Sequence, residues 1–233
     1  MVETFSDKIF NHIIFPTQDW WANLKKGQKL WIVLSTLAIF LLGVIAKDTP
    51  MNIAIGTIGM FYVSVYGTGA RSSFLLGVLY VSLYTIICLE NRIMLDALQN
   101  IVLIPVYIAS FVHWGKKAVQ PRALTKKGGQ QIILSMVLVL LGLFALSKVL
   151  HGNYSFLDSL NTTCTLYAMG LGYFGMSLNW LFWSINNVAS AIVFGLALMT
   201  PTGSLTVFIM KLIFCFNGFI SWYNWDKMSK EAK

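Results

Sequence analysis

Runs of roughly 17–22 apolar residues, the length that crosses a bilayer as an α-helix, recur along almost the whole chain. Short polar turns separate them, and the charge-free stretch 159–210 is long enough to need two turns, at 175–177 and 200–203. The pattern predicts an all-α polytopic membrane protein with eight transmembrane helices, at residues 30–46, 51–67, 72–89, 93–114, 130–147, 156–175, 178–199 and 204–222.

Composition agrees with this prediction. Only 11% of the residues are charged and the mean hydropathy is +0.69, whereas a soluble domain carries about 25% charged residues. The net charge of +8 could indicate nucleic-acid binding, but the basic residues lie in short loops between apolar runs, which indicates membrane topology instead. The expected partner is therefore the lipid bilayer and not nucleic acid. The three cysteines lack metal-ligand spacing, so neither a metal nor a cofactor is expected.

The Lys and Arg residues divide unequally between the two sides of the predicted membrane. Thirteen lie on the side of the N-terminus, three (Lys47, Arg92 and Lys148) lie on the other, and Lys211 lies inside the last span. Because basic residues accumulate in cytoplasmic loops, both termini are predicted in the cytoplasm, with the chain in a bacterial inner membrane. The larger group comprises Lys8, Lys25, Lys26, Lys29, Arg71, Lys116, Lys117, Arg122, Lys126, Lys127, Lys227, Lys230 and Lys233.

Two parts of the chain resemble each other. The third span begins with residues 73–77 (Ser-Phe-Leu-Leu-Gly), and the seventh begins with the similar residues 179–183 (Asn-Trp-Leu-Phe-Trp). In the same way, residues 111–114 at the end of the fourth span resemble residues 219–222 at the end of the eighth. The matched units lie an even number of crossings apart, so the two triplets of spans have the same orientation. Two parallel three-helix repeats joined by one linker helix are typical of transporters, with a site near mid-membrane between the repeats. Chance similarity among aromatic-ended spans is the alternative.

The repeat divides the chain into six parts. An N-terminal segment that is expected to be amphipathic and an extra first span precede the repeats, and a basic loop with the linker helix separates them. In chain order the parts are 1–29 (amphipathic segment), 30–50 (extra span), 51–115 (first repeat), 116–150 (cytoplasmic loop and linker helix), 151–225 (second repeat) and 226–233 (cytoplasmic tail).

Trp180, Trp183 and Asn187 occupy positions i, i+3 and i+7 of the seventh span and therefore share one helix face. Two indoles can stack on a flat aromatic ligand, and an amide can bind its hydroxyl or carboxamide group. Asn186 adds a second amide one position round the helix. Tryptophan is also enriched at lipid interfaces, an alternative that is strongest for Trp180. Because an unpaired amide deep in hydrocarbon is costly, the stripe indicates a protein-lined cavity.

Other polar residues within spans are candidates for the same site. They are Gln99 and Asn100 in the fourth span, Tyr107 just after the kink expected at Pro105, and Asn217 in the eighth span. For each of them alone, a hydrogen bond that holds two helices together is as good an explanation as a ligand contact.

Charged residues within the spans are few. Asp96 and Asp158 are expected to be solvated at the outer ends of spans four and six, whereas Lys211 lies deeper, where an ion pair is as good an explanation as a functional role. No acidic residue is expected deep in a span, which argues against proton coupling. The chain has no zinc-hydrolase, nucleophile-elbow or phosphate-loop motif, so an enzyme with catalytic residues is not expected.

The segment Trp180-Leu-Phe-Trp183-Ser-Ile-Asn-Asn187 matches the Trp-x-x-Trp-x-x-x-Asn motif of the PnuC-type vitamin transporters, whose best-known members carry nicotinamide riboside. With Asp158, Pro105 and Gly77 at matching positions, residues 51–222 resemble this family. The resemblance implies seven core helices arranged three plus one plus three, similar to the sugar-carrying SWEET proteins. It also implies facilitated diffusion, trapping of the substrate by a cytoplasmic kinase, and a possible homotrimer.

The chain departs from the family pattern at Leu178, where the family has an acid, and at Tyr107 and Met169, where it has glutamines. Related members carry thiamine, riboflavin or deoxynucleosides, which are alternative cargoes here. A channel-like or structural membrane subunit is the alternative from another class. The sequence thus predicts a uniporter that imports nicotinamide riboside, a vitamin B3 form and NAD precursor. Its predicted binding residues are Trp180, Trp183, Asn187, Asn186, Gln99, Asn100, Tyr107 and Asn217.

Overall fold

The computed structural model describes residues 21, 24–68, 70–114 and 126–231, so most of the predicted amphipathic segment 1–29 and the loop 115–125 lie outside the described residues. Eight α-helices follow one another in the described part, one for each predicted run. They are α1 (Lys26–Ile45), α2 (Pro50–Tyr66), α3 (Ser73–Glu90), α4 (Met94–His113), α5 (Lys126–Val149), α6 (Ser155–Tyr173), α7 (Asn179–Ala197) and α8 (Leu205–Glu231).

Helix α8 is longer than its apolar run, which ends at residue 222. The additional turns are polar, and in them Lys230 Nζ lies 2.6 Å from Asp226 Oδ2, four residues earlier on the same helix. Such i, i+4 pairs support an exposed helix. An apolar run measures the length of a helix inside a bilayer, so it does not show where the helix ends in water.

Six helical segments in the described part of the chain are long and apolar enough to cross a membrane, and α2 and α6 are the two exceptions. Helix α2 has only 17 residues. Helix α6 has 19 residues, and its buried side includes Asp158, Asn161 and several Ser and Thr residues. A helix with so many polar groups on its buried side is stable in a membrane only when other helices surround that side.

Four helices end with the same backbone geometry. Lys47, Arg92 and His151 follow α1, α3 and α5 with φ of 54°, 55° and 53°, and Gly175 follows α6 with φ of 69°. In each case the next residue donates its backbone N–H to the carbonyl five residues earlier, as Asp48 does to Gly43 at 3.0 Å. This left-handed cap satisfies carbonyls that a helix end leaves free and turns the chain sharply.

The helix packing relates the two predicted triplets to each other. Helix α3 packs on α2 and α4, and α7 packs in the same way on α6 and α8. The two groups meet where α2 contacts α8 and where α4 contacts α6. Helix α5 packs mainly on α6, and α1 packs on α2 and α8. The interior is therefore enclosed by α2, α3 and α4 on one side and by α6, α7 and α8 on the other.

Two aspartates bind the start of a helix in the other triplet. Asp158 of α6 accepts hydrogen bonds from the backbone N–H groups of Leu95 and Asp96, both at 3.0 Å, where α4 begins. Asp48, just before α2, accepts from the Ser204 hydroxyl at 2.7 Å and from the Thr206 N–H at 3.1 Å, where α8 begins. A carboxylate at a helix N-terminus satisfies free donors and complements the helix dipole.

Candidate functional site

A central cavity lies between α2, α3, α4, α6, α7 and α8. Its walls combine aromatic rings, side-chain amides and two charged groups. The lining residues are Tyr62, Val63, Tyr66, Tyr80, Val81, Tyr84, Asp96, Gln99, Asn100, Leu103, Tyr107, Asn161, Thr165, Trp180, Trp183, Asn186, Asn187, Lys211, Phe214 and Gly218. Seven of the eight residues that the sequence predicts for the site are in this group, and Asn217 is not.

The stripe on α7 faces the cavity. Trp180 is 1% exposed, and its ring centroid lies 5.0 Å from that of Tyr66 and 5.7 Å from that of Trp225. This burial is incompatible with a lipid-facing belt residue. Trp183 is half-buried one turn further along. Both indole N–H groups are buried. That of Trp180 has no hydrogen-bond partner among the described residues, and that of Trp183 interacts with the Tyr66 hydroxyl.

The two neighbouring asparagines of α7 differ in what they bind. Asn186 donates from Nδ2 to the Asn161 carbonyl at 3.0 Å and to the Thr165 hydroxyl at 2.6 Å, which ties α7 to α6. Asn187 lines the cavity and is 4% exposed, and in the described part of the chain its amide forms no hydrogen bond. Of the two amides, that of Asn187 is therefore the one free to bind a ligand.

Helix α4 contributes three predicted residues to the opposite wall. The Gln99 Oε1 atom is buried without a partner within the described ranges, whereas Asn100 donates from Nδ2 to Cys88 Sγ at 3.8 Å. Tyr107, two residues after Pro105, is 1% exposed, and its hydroxyl lies 2.9 Å from that of Tyr62. Gln99 is therefore the residue of this group with unused hydrogen-bonding capacity.

Asn217 lies outside the cavity, nearer the end of the molecule where α1 begins. Its Oδ1 accepts from Trp31 Nε1 and its Nδ2 donates to the Val63 carbonyl, both at 3.3 Å. Asn217 therefore joins α8 to α1 and α2, and it lines a second pocket instead of the central one.

The two membrane aspartates are buried, so the expectation that they are solvated is wrong. Asp96 is 2% exposed and Asp158 is 1% exposed. They are shielded because α4 and α6 pack against each other at this level, an interhelical contact that span positions alone do not show. Asp96 accepts from Asn161 Nδ2 at 2.5 Å through Oδ2, while its Oδ1 has no partner in the described part. The cavity therefore contains a carboxylate oxygen that is free to accept a bond.

Lys211 lines the same cavity and is 4% exposed. Its Nζ lies 4.2 Å from the centroid of the Tyr84 ring and 5.8 Å from that of Phe214, distances at which a cation is attracted to a ring face. The cavity thus contains one acidic and one basic side chain, each from a different triplet.

Sequence reasoning missed the tyrosines of α2 and α3. Tyr62 and Tyr66 are spaced i, i+4, as are Tyr80 and Tyr84, so each pair lies on one helix face. All three hydroxyls of Tyr66, Tyr80 and Tyr84 are buried. That of Tyr80 has no partner in the described ranges, whereas those of Tyr66 and Tyr84 interact with Trp183 and Cys88. The i, i+4 spacing was the available signal, but tyrosine within an apolar run is ordinarily interpreted as part of the hydrophobic pattern.

This arrangement of side chains suits the binding of a ligand better than the catalysis of a covalent reaction. Ring faces can hold a flat aromatic group, free amide and hydroxyl groups can pair with its polar substituents, and the carboxylate can balance a positive charge. No group of His, Cys, Asp and Glu side chains that could hold a metal ion occurs among the described residues. The site therefore resembles the largely apolar ligand sites that carry a few well-placed polar groups.

Comparisons with known proteins agree with this interpretation. The sequence profile of the family described as "Nicotinamide mononucleotide transporter" matches residues 49–227. The crystal structure of the vitamin B3 transporter PnuC has the same fold, with a TM-score of 0.80 and 20% sequence identity over 93% of this chain and 100% of that one. A search of curated proteins gave no match. Because the profile spans most of the chain, the protein belongs to the nicotinamide mononucleotide transporter family, the PnuC-type family that its Trp-x-x-Trp-x-x-x-Asn motif resembles.

Proposed function

We propose that this membrane transporter carries nicotinamide riboside, or a closely related vitamin precursor, through the central cavity by facilitated diffusion. The observation that carries the proposal is the stripe of Trp180, Trp183 and Asn187 on the cavity wall, where indole and amide groups line the cavity and the Trp180 N–H is buried without a partner within the described chain. An unpaired polar group in a membrane interior is costly. Binding of a ligand with matching groups removes that cost.

The chemistry of nicotinamide riboside matches the lining group by group. Its pyridinium ring is flat and permanently positive, which suits tryptophan and tyrosine faces and the free oxygen of Asp96. Its carboxamide and ribose hydroxyls require amide and hydroxyl partners, and Asn187, Gln99 and the tyrosines supply them. The alternative cargoes thiamine, riboflavin and deoxynucleosides also have flat rings, so they belong in the same binding test.

The lining favours the riboside over the mononucleotide. Proteins bind phosphate groups with several charge-assisted donors, chiefly from Arg, Lys and helix N-termini. Lys211 is the one basic side chain among the residues that line the cavity, and it packs against two aromatic rings. A phosphate would also lie in the same cavity as the Asp96 carboxylate.

The deciding experiment is equilibrium binding to the purified protein, followed by uptake into proteoliposomes. We expect saturable binding of nicotinamide riboside that is tighter than that of the mononucleotide, thiamine, riboflavin or a deoxynucleoside. Saturable uptake inhibited by the unlabelled riboside separates a carrier from a channel-like or structural subunit. Binding of none of these ligands would contradict the proposal.

The uniport mechanism requires its own test, because Asp96 is buried in the cavity and could in principle bind a proton. For facilitated diffusion, uptake at zero membrane potential reaches the external concentration and does not respond to imposed proton or sodium gradients. A cytoplasmic kinase would then trap the cargo inside the cell. Accumulation above equilibrium that collapses with the proton gradient would instead assign Asp96 a coupling role.

We propose eight spans in a three-plus-one-plus-three arrangement, with both termini in the cytoplasm of a bacterial cell. The reciprocal packing of α2 on α8 and of α4 on α6 supports a two-triplet arrangement with α5 as linker. Cysteines placed at positions 116–127 or at the C-terminus should resist an impermeant thiol reagent in intact cells, and labelling of either would refute this orientation. A homotrimer is tested by the mass of the detergent-solubilised particle.

A further inference from the structure

A second pocket lies at the end of the molecule where α1 begins and where α2 and α8 end. Its lining residues come from these three helices and from the two residues that follow α2. The side chains that give it its character are uncharged hydroxyls and amides together with one indole. They belong to Gln28, Trp31, Ser64, Asn217, Ser221 and Asn224.

A single layer of residues separates this pocket from the central cavity. Asn217 and Ser64 line the second pocket, whereas their chain neighbours Gly218 and Val63 line the central one. The amide of Asn217 closes the layer, because it donates to the Val63 carbonyl and accepts from the Trp31 indole, both at 3.3 Å. Both distances lie just beyond the usual range for N–H···O bonds, so the two bonds are weak, and the polar groups of the second pocket can replace them when they break.

The second pocket also contains unused hydrogen-bonding capacity. Ser64 is 3% exposed, and its hydroxyl has no partner in the described part of the chain. An indole beside hydroxyl and amide groups can bind a polyhydroxylated ligand, because the ring covers the apolar face of a sugar while the polar groups pair with its hydroxyls. Phosphate or carboxylate ligands fit poorly, since no charged side chain is among the described residues that line the pocket.

We propose that this pocket is a second binding site for the cargo, one that holds its ribose-like polyhydroxylated part on the way between the central cavity and the water at this end. In this arrangement Asn217 is the residue that opens the connection when its bonds to Trp31 and Val63 break. Helix α1, which supplies Trp31, precedes the residues that the family profile matches, so the pocket extends beyond the part of the chain that the profile covers. The inference rests on the proposed function.

The test uses single cysteines in a variant whose own Cys88, Cys164 and Cys215 are replaced by Ala. Ser221→Cys lies on the pocket wall, and Tyr223→Cys, at a residue that is 71% exposed on the same helix, is the matched control. Both are treated with a charged methanethiosulfonate reagent. Labelling of Ser221→Cys should slow riboside uptake about tenfold by blocking release, while the equilibrium Kd for nicotinamide riboside stays within about twofold.

Protection by the cargo gives the second readout. Saturating nicotinamide riboside should slow the labelling of Ser221→Cys and leave that of Tyr223→Cys unchanged. Complete labelling of Ser221→Cys with normal uptake and no protection would overturn the inference. If Ser221→Cys does not fold, Asn224→Cys, at an exposed position of the pocket, takes its place with the same two measurements. If the wild-type protein binds no riboside at all, the proposed function fails and this inference fails with it, whereas loss of binding in the cysteine-free protein alone is traced to the buried Cys88, which bonds to Asn100.

Discussion

Helices α3 and α7 are the middle helices of the two predicted triplets, and each packs on the helix before it and the helix after it, yet they present different chemistry to the cavity. Phe74 of α3 and Trp180 of α7 open the matching segments and are each 1% exposed. Both contact the same ring, Tyr66, with centroid distances of 5.7 Å and 5.0 Å. The start of the two helices is therefore alike in position and in packing.

The likeness ends one turn later, where α3 has Gly77 and α7 has Trp183. A Cβ at Gly77 would lie 3.0 Å from the Tyr62 ring and 3.1 Å from the Tyr107 ring, so the glycine lets these two tyrosines meet in front of α3. Further along, the matching positions are Tyr80 in α3 and Asn186 in α7. Helix α3 thus lines the cavity with phenol rings, and α7 lines it with indoles and amides.

This difference has a consequence for the ligand. A cavity built from two identical halves would suit a symmetric ligand, or it would bind an asymmetric ligand equally well in two orientations. The actual cavity offers aromatic faces on both walls, one free amide on α7 (Asn187) and one on α4 (Gln99), together with one acid on α4 and one base on α8. It is suited to a ligand that has a flat ring at one end and polar groups at the other.

The largest expected effect comes from removing one of the two charged side chains, Asp96 and Lys211, that the two triplets contribute to the cavity. Lys211→Met leaves the Asp96 carboxylate in a buried cavity without a basic residue, and we expect a loss of about 3–5 kcal/mol of stability. Thermal unfolding in detergent measures it, with the exposed Lys148→Met as control. The double variant with Asp96→Asn should recover most of the loss. Equal stability of Lys211→Met and wild type would show that the two charges do not interact.

The second test removes the ring that has no counterpart in α3. Trp183→Ala should weaken riboside binding by about 1–3 kcal/mol, a roughly fivefold to hundredfold increase in Kd. Phe182→Ala is the matched control, because the neighbouring ring packs on Tyr167 of α6 and does not line the cavity. An unchanged Kd in a folded Trp183→Ala protein would mean that the ligand binds elsewhere.

The third test compares the two adjacent amides of α7. Asn187→Leu leaves a ligand hydroxyl or amide unpaired and should cost about 1–3 kcal/mol of affinity with little change in unfolding temperature. Asn186→Leu removes the bonds to Asn161 and Thr165, so it should lower the unfolding temperature more than the affinity. The reverse result would exchange the roles assigned to these residues.

The smallest expected change in stability concerns Asp48, which lies just before α2 and forms hydrogen bonds with the start of α8. Burial raises the pKa of Asp48, but hydrogen bonds from Asn52, Ser204 and Thr206 outweigh it, so the net pKa lies below its ordinary value. A lowered pKa stabilises the fold above the unfolded value of about 3.9, and this contribution is lost as the pH falls through the folded pKa.

Asp48→Asn should therefore cost about 1 kcal/mol near neutral pH. The difference from wild type in unfolding temperature should shrink as the pH falls below about 4. Asp226→Asn, at a half-exposed helix position whose partner is Lys230, is the control with a smaller change at any pH. A difference that stays constant with pH would show that the Asp48 charge does not matter.

The sequence predicted the eight helices and seven of the residues that line the cavity for a simple reason. Helix length and the i, i+3, i+7 stripe of α7 depend on spacing along one helix, and spacing is visible in a sequence. The burial of Asp96, the role of the tyrosines and the position of Asn217 depend on which helices meet. Asn217 was placed with the cavity because it is a polar residue within a span, but its side chain bonds to Trp31 of α1, which no periodicity reveals.

Helices α5 and α6 are neighbours in the chain but differ strongly in hydropathy, and this difference affects how each helix is inserted into the membrane. Most of α5 is apolar and unburied, whereas α6 has Asp158 and Asn161 on its inner side and falls short as a span by composition. A translocon sorts each segment by its own transfer free energy. We expect α5 to enter the bilayer alone and α6 to enter only together with α5 and α7, which glycosylation mapping of the isolated and combined segments would reveal. Efficient insertion of α6 alone would contradict this order of assembly.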